Sequence, residues 1–290
     1  MEHELWSALY GFVKRSSVRG RGWLFTTADI VMVYLWAALH DRPMCWATDK
    51  RSWPKGLCPR RLPSQSQLSR RMRGSDVVEL MTEVENEFVA LIGADQRLIR
   101  ILDGKPLDVS NVSKDGDAGY GRSAGGMHKG YKLHSIWSAG PIPLAWGLAP
   151  MNVSEKAMAR ALIPTLPGGG YLLADGEFDA NALFDLAHDA NHQLVVPRPQ
   201  KKKGLGHRRQ SPYRLRSIEL VQSDFGKALF KMRRQIERDF GSLVSFGGGL
   251  ICLPAWVRTF TRVRHWVHAK LLINAVRWFR SHRLNLIALA

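Results

Sequence analysis

The spacing of apolar residues changes character twice along the chain. Up to about residue 90 they come in blocks of helical length. The run VMVYLWAALH, residues 31–40, combines that length with Leu, Ala and Met and predicts a helix. From residue 97 the blocks shorten. RLIRILDGKPLDV predicts a strand that ends or turns at Asp103-Gly104, with a second arm beyond it. HKGYKLHSIWS sets Tyr131, Leu133 and Ser135 against Lys132, His134 and Ile136, and PIPLAWGLAP follows as a strand punctuated by prolines. Ser154 is placed to cap a helix over EKAMARALIPTL, and YLLADGEF is a buried strand that stops at Asp175-Gly176. Asp179 is placed to cap NALFDLAHDAN, and HQLVVPRP is a fifth strand. Three strands, a helix, a strand, a helix and a strand make a mixed α/β layout with helices over a sheet. Beyond residue 217 the helical period returns. Leu229, Met232, Ile236, Phe240 and Leu243 share one stripe, and Phe260, Val263, Val267, Leu271 and Trp278 another. The pattern divides the chain into a helical region over 1–94 and an α/β domain with C-terminal helices over 95–290.

Charge adds a partner to this picture. Lysines and arginines outnumber acids 42 to 25, a formal net charge of +17, and a field of that sign draws polyanions. Two stretches concentrate it. Residues 50–74 contain no acid, and inside them Ser64-x-x-Gln67 matches a capping box for a helix QSQLSRRMR that stops at Gly74. Leu68 and Met72 then share one face, while Gln65, Gln67, Arg70, Arg71 and Arg73 spread over the rest. That suits the recognition helix of a helix-turn-helix unit, in which glutamine can read adenine; the alternative is a connecting helix with solvated arginines. Residues 197–216 hold eight lysines and arginines and no acid. This stretch, with Lys201, Lys202, Lys203, Arg208 and Arg209, reads as a loop that follows phosphates. Lys129 and Lys132 on the HKGYKLH strand and Arg233 are further candidate DNA contacts. The apolar run Ile30–Leu39 is too short to span a bilayer, and the first residues show no signal-peptide pattern, so a cytoplasmic location and no membrane partner are expected. Cys45, Cys58 and Cys252 form no C-x-x-C pair and fit reduced thiols. His265-x-x-His268 reads as a surface pair.

Three acids stand out by position. Asp103 follows the apolar run LIRIL, Asp175 follows YLLA, and Glu237 lies at the edge of the helical stripe, on one face with Phe230 and Arg233. A carboxylate at the end of a buried strand is costly unless a metal or hydrogen bonds compensate it. Two divalent cations held by a few carboxylates on rigid mounts are what phosphodiester chemistry uses. Taken singly, each Asp-Gly could be an ordinary turn, and Glu237 could pair with Arg233 or Arg234 on the helix surface.

From about residue 95 to 245 the chain resembles DDE-type insertion-sequence transposases. The resemblance rests on LDGKPLDVS around Asp103, HKGYKLH after it, LLADGEFDAN around Asp175 and RRQIERDFGSL around Glu237. Many relatives carry a helix motif Y-x2-R-x3-E-x6-K. Here Phe230 stands for the Tyr, Arg233 for the Arg and Glu237 for the Glu, while Val244 stands where the Lys would be. LPSQSQLSRRMR is similar to the N-terminal DNA-binding segment of such proteins. The resemblance implies a ribonuclease-H-like mixed sheet flanked by helices, preceded by a helical DNA-binding region. It also implies Asp103, Asp175 and Glu237 as catalytic ligands of two Mg2+ ions, with Mn2+ as a substitute. Its implied partners are DNA, as terminal inverted repeats and target, in a homodimer or higher assembly at the nucleoid. A nuclease of the same fold without strand transfer, and a domesticated DNA-binding protein without catalysis, are the competing expectations.

Overall fold

The computed structural model describes residues 2–18, 24–138, 140–198, 204–205, 209–245, 249–250 and 252–281. In chain order it begins with helices α1 (Glu2–Arg15), α2 (Thr27–Leu39), α3 (Met44–Ala47), α4 (Gln65–Arg71) and α5 (Ser75–Leu91). Strands β1 (Ile99–Asp108), β2 (Gly119–Ser123), β3 (Gly126–Trp137) and β4 (Ala145–Pro150) follow. Then come α6 (Glu155–Leu162), β5 (Gly170–Leu173), α7 (Asn181–Asp189) and β6 (His192–Val195). The chain continues through α8 (Pro212–Gln222), α9 (Asp224–Lys231), α10 (Gln235–Ser245) and α11 (Phe260–Ser281). It divides into two compact units, Met1–Phe88 with Ser242–Ala290, and Val89–Gly241. The C-terminal helix therefore belongs with the first helices, whereas the hydrophobic pattern grouped it with the α/β domain.

In the first unit α2 is buried along almost its whole length and starts with a capping box between Thr26 and Asp29. The α11 helix packs on α1 and α2. Its apolar stripe predicts one covered face, yet Trp266, His268, Lys270, Ile273 and Asn274 are buried as well. Lys270 is 2% exposed and donates to the Ala38 carbonyl and to Asp41, so it is a core cation rather than a surface one. His265 and His268 are likewise buried, His268 against Glu85 at 2.7 Å. The expected surface pair is thus an internal one. Trp36 stacks on Trp53, with Trp6 edge-on to both, which fastens the acid-free segment to α1 and α2. The capping box of α4 forms as expected, and Leu68 and Met72 face the core.

The second unit is built on a six-stranded sheet in the order β2-β3-β1-β5-β6, with β4 also on β3. The first four strands pair antiparallel, and β1, β5 and β6 run parallel. This is the ribonuclease-H-like arrangement, and three details differ from the sequence reading. First, β1 does not turn at Asp103-Gly104; it runs straight through, because Asp103 pairs with Ser135 and Gly104 with His134. Gly104 sits in the body of the strand beneath the Lys132 side chain, not in a turn. Second, GYGRSAGGMHKG folds into the β2–β3 hairpin, with Gly125 and Gly126 at positive φ at its tip. Third, Asp179 does not cap α7: Ala180 is the N-cap residue, and Asp179 is taken by the Arg214 fork at 2.6 and 2.7 Å.

Alternation along the strands sorts side chains onto two faces. Leu102, Ile136, Leu172, Ala174, Leu194 and Val196 pack with Ala159 and Leu162 of α6 and Leu183, Phe184 and Ala187 of α7. Ile101, Asp103, Ser135, Trp137 and Leu173 occupy the opposite face by register. There Trp137 meets Phe240 of α10 edge to face at 6.1 Å. Leu229, Ile236 and Leu243 are buried as the stripe predicts, but Met232 is 49% exposed. A 3-10 turn at Met232–Arg234 between α9 and α10 breaks the helical period at that point.

Candidate active site

Asp103 and Asp175 reach one place by different routes. β1 and β5 are adjacent and parallel, with Ile101 opposite Leu173, so two residues further on the aspartates lie side by side on the face that α10 covers. Asp103 sits within β1, which continues past it to Asp108. β5 ends at Leu173, and Asp175 is the N-cap of a 3-10 turn, Gly176–Phe178. Each carboxylate keeps one oxygen for local backbone. Asp103 Oδ1 accepts from the Gly104 N–H at 2.7 Å, and Asp175 Oδ1 from the Glu177 N–H at 2.9 Å. Both Oδ2 atoms turn to the same guanidinium nitrogen, Arg233 Nη2, at 3.0 and 3.7 Å.

Burial pushes the Asp103 carboxyl above the usual carboxylate range. The Gly104 N–H and Arg233 oppose that shift, while the charges of Asp175 and Glu155 add to it. Glu155 is a neighbour that the sequence reading passed over; it pairs with Lys132 across Gly104. His134, opposite Gly104, is fully buried, and burial with the nearby Lys132 charge pulls its imidazole down to about 4, so it is neutral near pH 7.

Glu237 lies four positions beyond Arg233, past the 3-10 turn, in the first turn of α10. It is exposed and, among the described residues, makes no ion pair with Arg233, Arg234 or Arg238. The surface salt bridge that would have explained its place among arginines does not form. It faces a groove of about 780 Å³ whose charged lining is Arg198, Lys227, Lys231, Arg233, Arg234 and Glu237. No three acidic, histidine or cysteine side chains come together as one metal-binding group among the described residues. The structure joins Asp103 to Asp175 and leaves Glu237 at the groove. Asp239, two positions on, points to the core and is 6% exposed.

The other candidates are scattered. Gln65 and Arg70 are exposed on α4, but the Gln67 carboxamide oxygen accepts from the Ser64 N–H in the capping box. Arg71 turns inward, 9% exposed, to the Phe25 carbonyl, Thr27 and Asp76, because it follows Leu68 by three positions onto the covered side. Lys129 Nζ donates to the Ser113 carbonyl, and Lys132 is held by Glu155. Both lysines, expected as DNA contacts, have partners within the fold. Arg209 is exposed, and Lys201, Lys202, Lys203 and Arg208 lie outside the described residues. The expected basic loop is shorter than its charge run, since Ser211 caps α8 and residues from Pro212 are helical.

Comparison with known families gives a match over residues 94–273 to the transposase DDE domain. That is more than half of the chain, and the chain belongs to this family of transposases. No curated protein matches it. The family is an enzyme class that acts on DNA and generally uses divalent metals. No helix among the described residues is long and apolar enough to cross a membrane.

Proposed function

We propose that the protein cuts DNA at transposon ends and joins the freed 3′-hydroxyl to target DNA, with Asp103, Asp175 and Glu237 as the catalytic carboxylates. The observation that carries this reading is the convergence of Asp103 Oδ2 and Asp175 Oδ2, from adjacent parallel strands, on a single cation. The donor set fits a hard divalent ion: carboxylate oxygens mounted within β1 and just beyond β5, each anchored by a backbone N–H through its other oxygen. When bound, magnesium or manganese would make the attacking oxygen more nucleophilic and neutralise charge on the leaving oxygen.

The rest falls to the chain's own side chains. Asp103 and Asp175 fix where positive charge is held. Glu237, at the groove in the first turn of α10, is the carboxylate assigned to complete the set from the helix side. Arg198, Lys227, Lys231 and Arg234 give the groove the sign that holds a phosphate backbone beside the carboxylates. Exposed Gln65 and Arg70 on α4, with the basic segment near Arg209, are the contacts assigned to the terminal inverted repeats.

The test is cleavage of a labelled duplex bearing the inverted repeats that flank the gene, with magnesium, alongside a gel shift in calcium. Asp103→Asn, Asp175→Asn and Glu237→Gln should each abolish cutting and leave duplex binding intact or tighter, since a negative charge near phosphates is gone. Near-normal cutting by any of the three would remove that residue from the catalytic set.

A further inference from the structure

We infer that Arg233 is a positioning residue that acts through Asp103 and Asp175: its guanidinium holds the pair in place of a divalent cation, and the cation must displace it. The inference rests on reading the two aspartates as metal ligands, and goes beyond it by giving the basic residue between them a defined exchange.

Four observations support it. The two Oδ2 atoms that a cation would take are the two that meet Arg233, while the two Oδ1 atoms are already used by Gly104 and Glu177. One nitrogen, Nη2, makes both contacts, and the second is long at 3.7 Å. Arg214 shows what a committed pair looks like in the same unit: Nε and Nη2 grip Asp179 as a fork at 2.6 and 2.7 Å. Arg233 makes no such fork, and its Nε is buried without a partner. Finally, it sits in the 3-10 turn that separates α9 from α10, a local break in helical geometry of the kind found at hinges.

The chemistry is an exchange of cations. The two carboxylates stand close enough to share one guanidinium nitrogen, so a counter-charge is needed between them to hold like charges together. A guanidinium supplies one positive charge through a single contact to each carboxylate; a divalent ion supplies two at shorter range. Once displaced, Arg233 is left on the groove side with Arg234 and Lys231, where phosphate is the natural partner. Occupation of the aspartates and binding of duplex are then coupled through one side chain, and the coupling is reciprocal.

The test measures Mn2+ binding to the full chain by electron paramagnetic resonance, without DNA and without reference to activity. Arg233→Ala should bind Mn2+ about tenfold or more tightly than wild type, because the competing charge is gone. Arg233→Lys, which keeps a cation but loses the planar group, should fall between them and serves if the alanine variant folds poorly. In the wild type, calcium should also strengthen duplex binding, and in Arg233→Ala that gain should shrink. Equal or weaker Mn2+ binding by both variants would overturn the proposal, for it would make Arg233 a helper or a strut. The double variant Asp103→Asn/Asp175→Asn is the separate check: if it binds Mn2+ as wild type does, the metal assignment itself fails, and the exchange with it.

Discussion

Arg100 and Arg233 belong to the same unit and meet the same sheet, at opposite ends. Arg100 is fully buried on β1, three residues before Asp103. Its terminal nitrogens donate to the carbonyls of Asp95, Pro167 and Gly169 and meet the His192 ring. These are neutral acceptors on the segments that lead into β1 and β5. Arg233 faces two carboxylates through one nitrogen, with its side chain 24% exposed. Both leave Nε unpaired, so that atom does not separate them. What separates them is the acceptor. Backbone carbonyls cannot move or change partner without unfolding the loops, so Arg100 closes the entry end of the sheet. Carboxylates can accept another cation, so the exit end stays open to exchange.

The sharpest way to break this contrast is to remove each arginine. Arg100→Met should lower stability by about 3 kcal/mol or more, since three buried carbonyls and His192 lose their donor. Arg233→Ala should lower it by no more than about 1 kcal/mol, as expected of a partly exposed ion pair. Chemical denaturation of both variants checks the pair, and equal losses would erase the distinction.

A second contrast lies on α10, between Glu237 at the groove and Asp239 in the core. Burial pushes the Asp239 carboxyl up to about 6. The unfolded chain loses that proton near pH 4, so stability falls as pH rises from about 4 to about 6, and the loss is complete above that. Asp239→Asn should therefore stabilise the protein by about 2 kcal/mol at pH 8 and by little at pH 4. Thermal melting at the two pH values reads this; an equal change at both would mean that Asp239 does not titrate as its burial dictates.

The smallest effects concern α4. Ser64→Ala should cost about 1 kcal/mol through the lost cap. Gln67→Ala should lower the melting point for the same reason, whereas Gln65→Ala should leave it unchanged and reduce discrimination between end and random duplex. Equal melting of the two glutamine variants would show that the Gln67 carboxamide is free to do what Gln65 does.

Local signals carried far in the sequence. Five of the six strands and the α4 capping box were legible because each depends on neighbours within a few residues; β2 was not. What was not legible depends on distant partners. The Asp103-Gly104 pair looks like a turn until His134 is known to lie opposite it. Lys132 and Lys270 look like surface cations until Glu155 and Asp41 are found beside them. The α11 stripe could not announce that helices from the other end of the chain would cover it. Arg233 was legible as a basic residue four before Glu237, but not as the partner of two aspartates more than fifty positions upstream.

The central claim is that Asp103 and Asp175 hold the cations with which the protein cuts DNA. It is tested most directly by changing what the ligand prefers. Asp103→Cys and Asp175→Cys replace a hard oxygen by a thiolate, which magnesium accepts poorly and manganese tolerates better. End-duplex cleavage should be lost by both variants in magnesium and recovered in part in manganese, with wild type active in both. Cutting in magnesium at the wild-type rate by either variant would contradict the account.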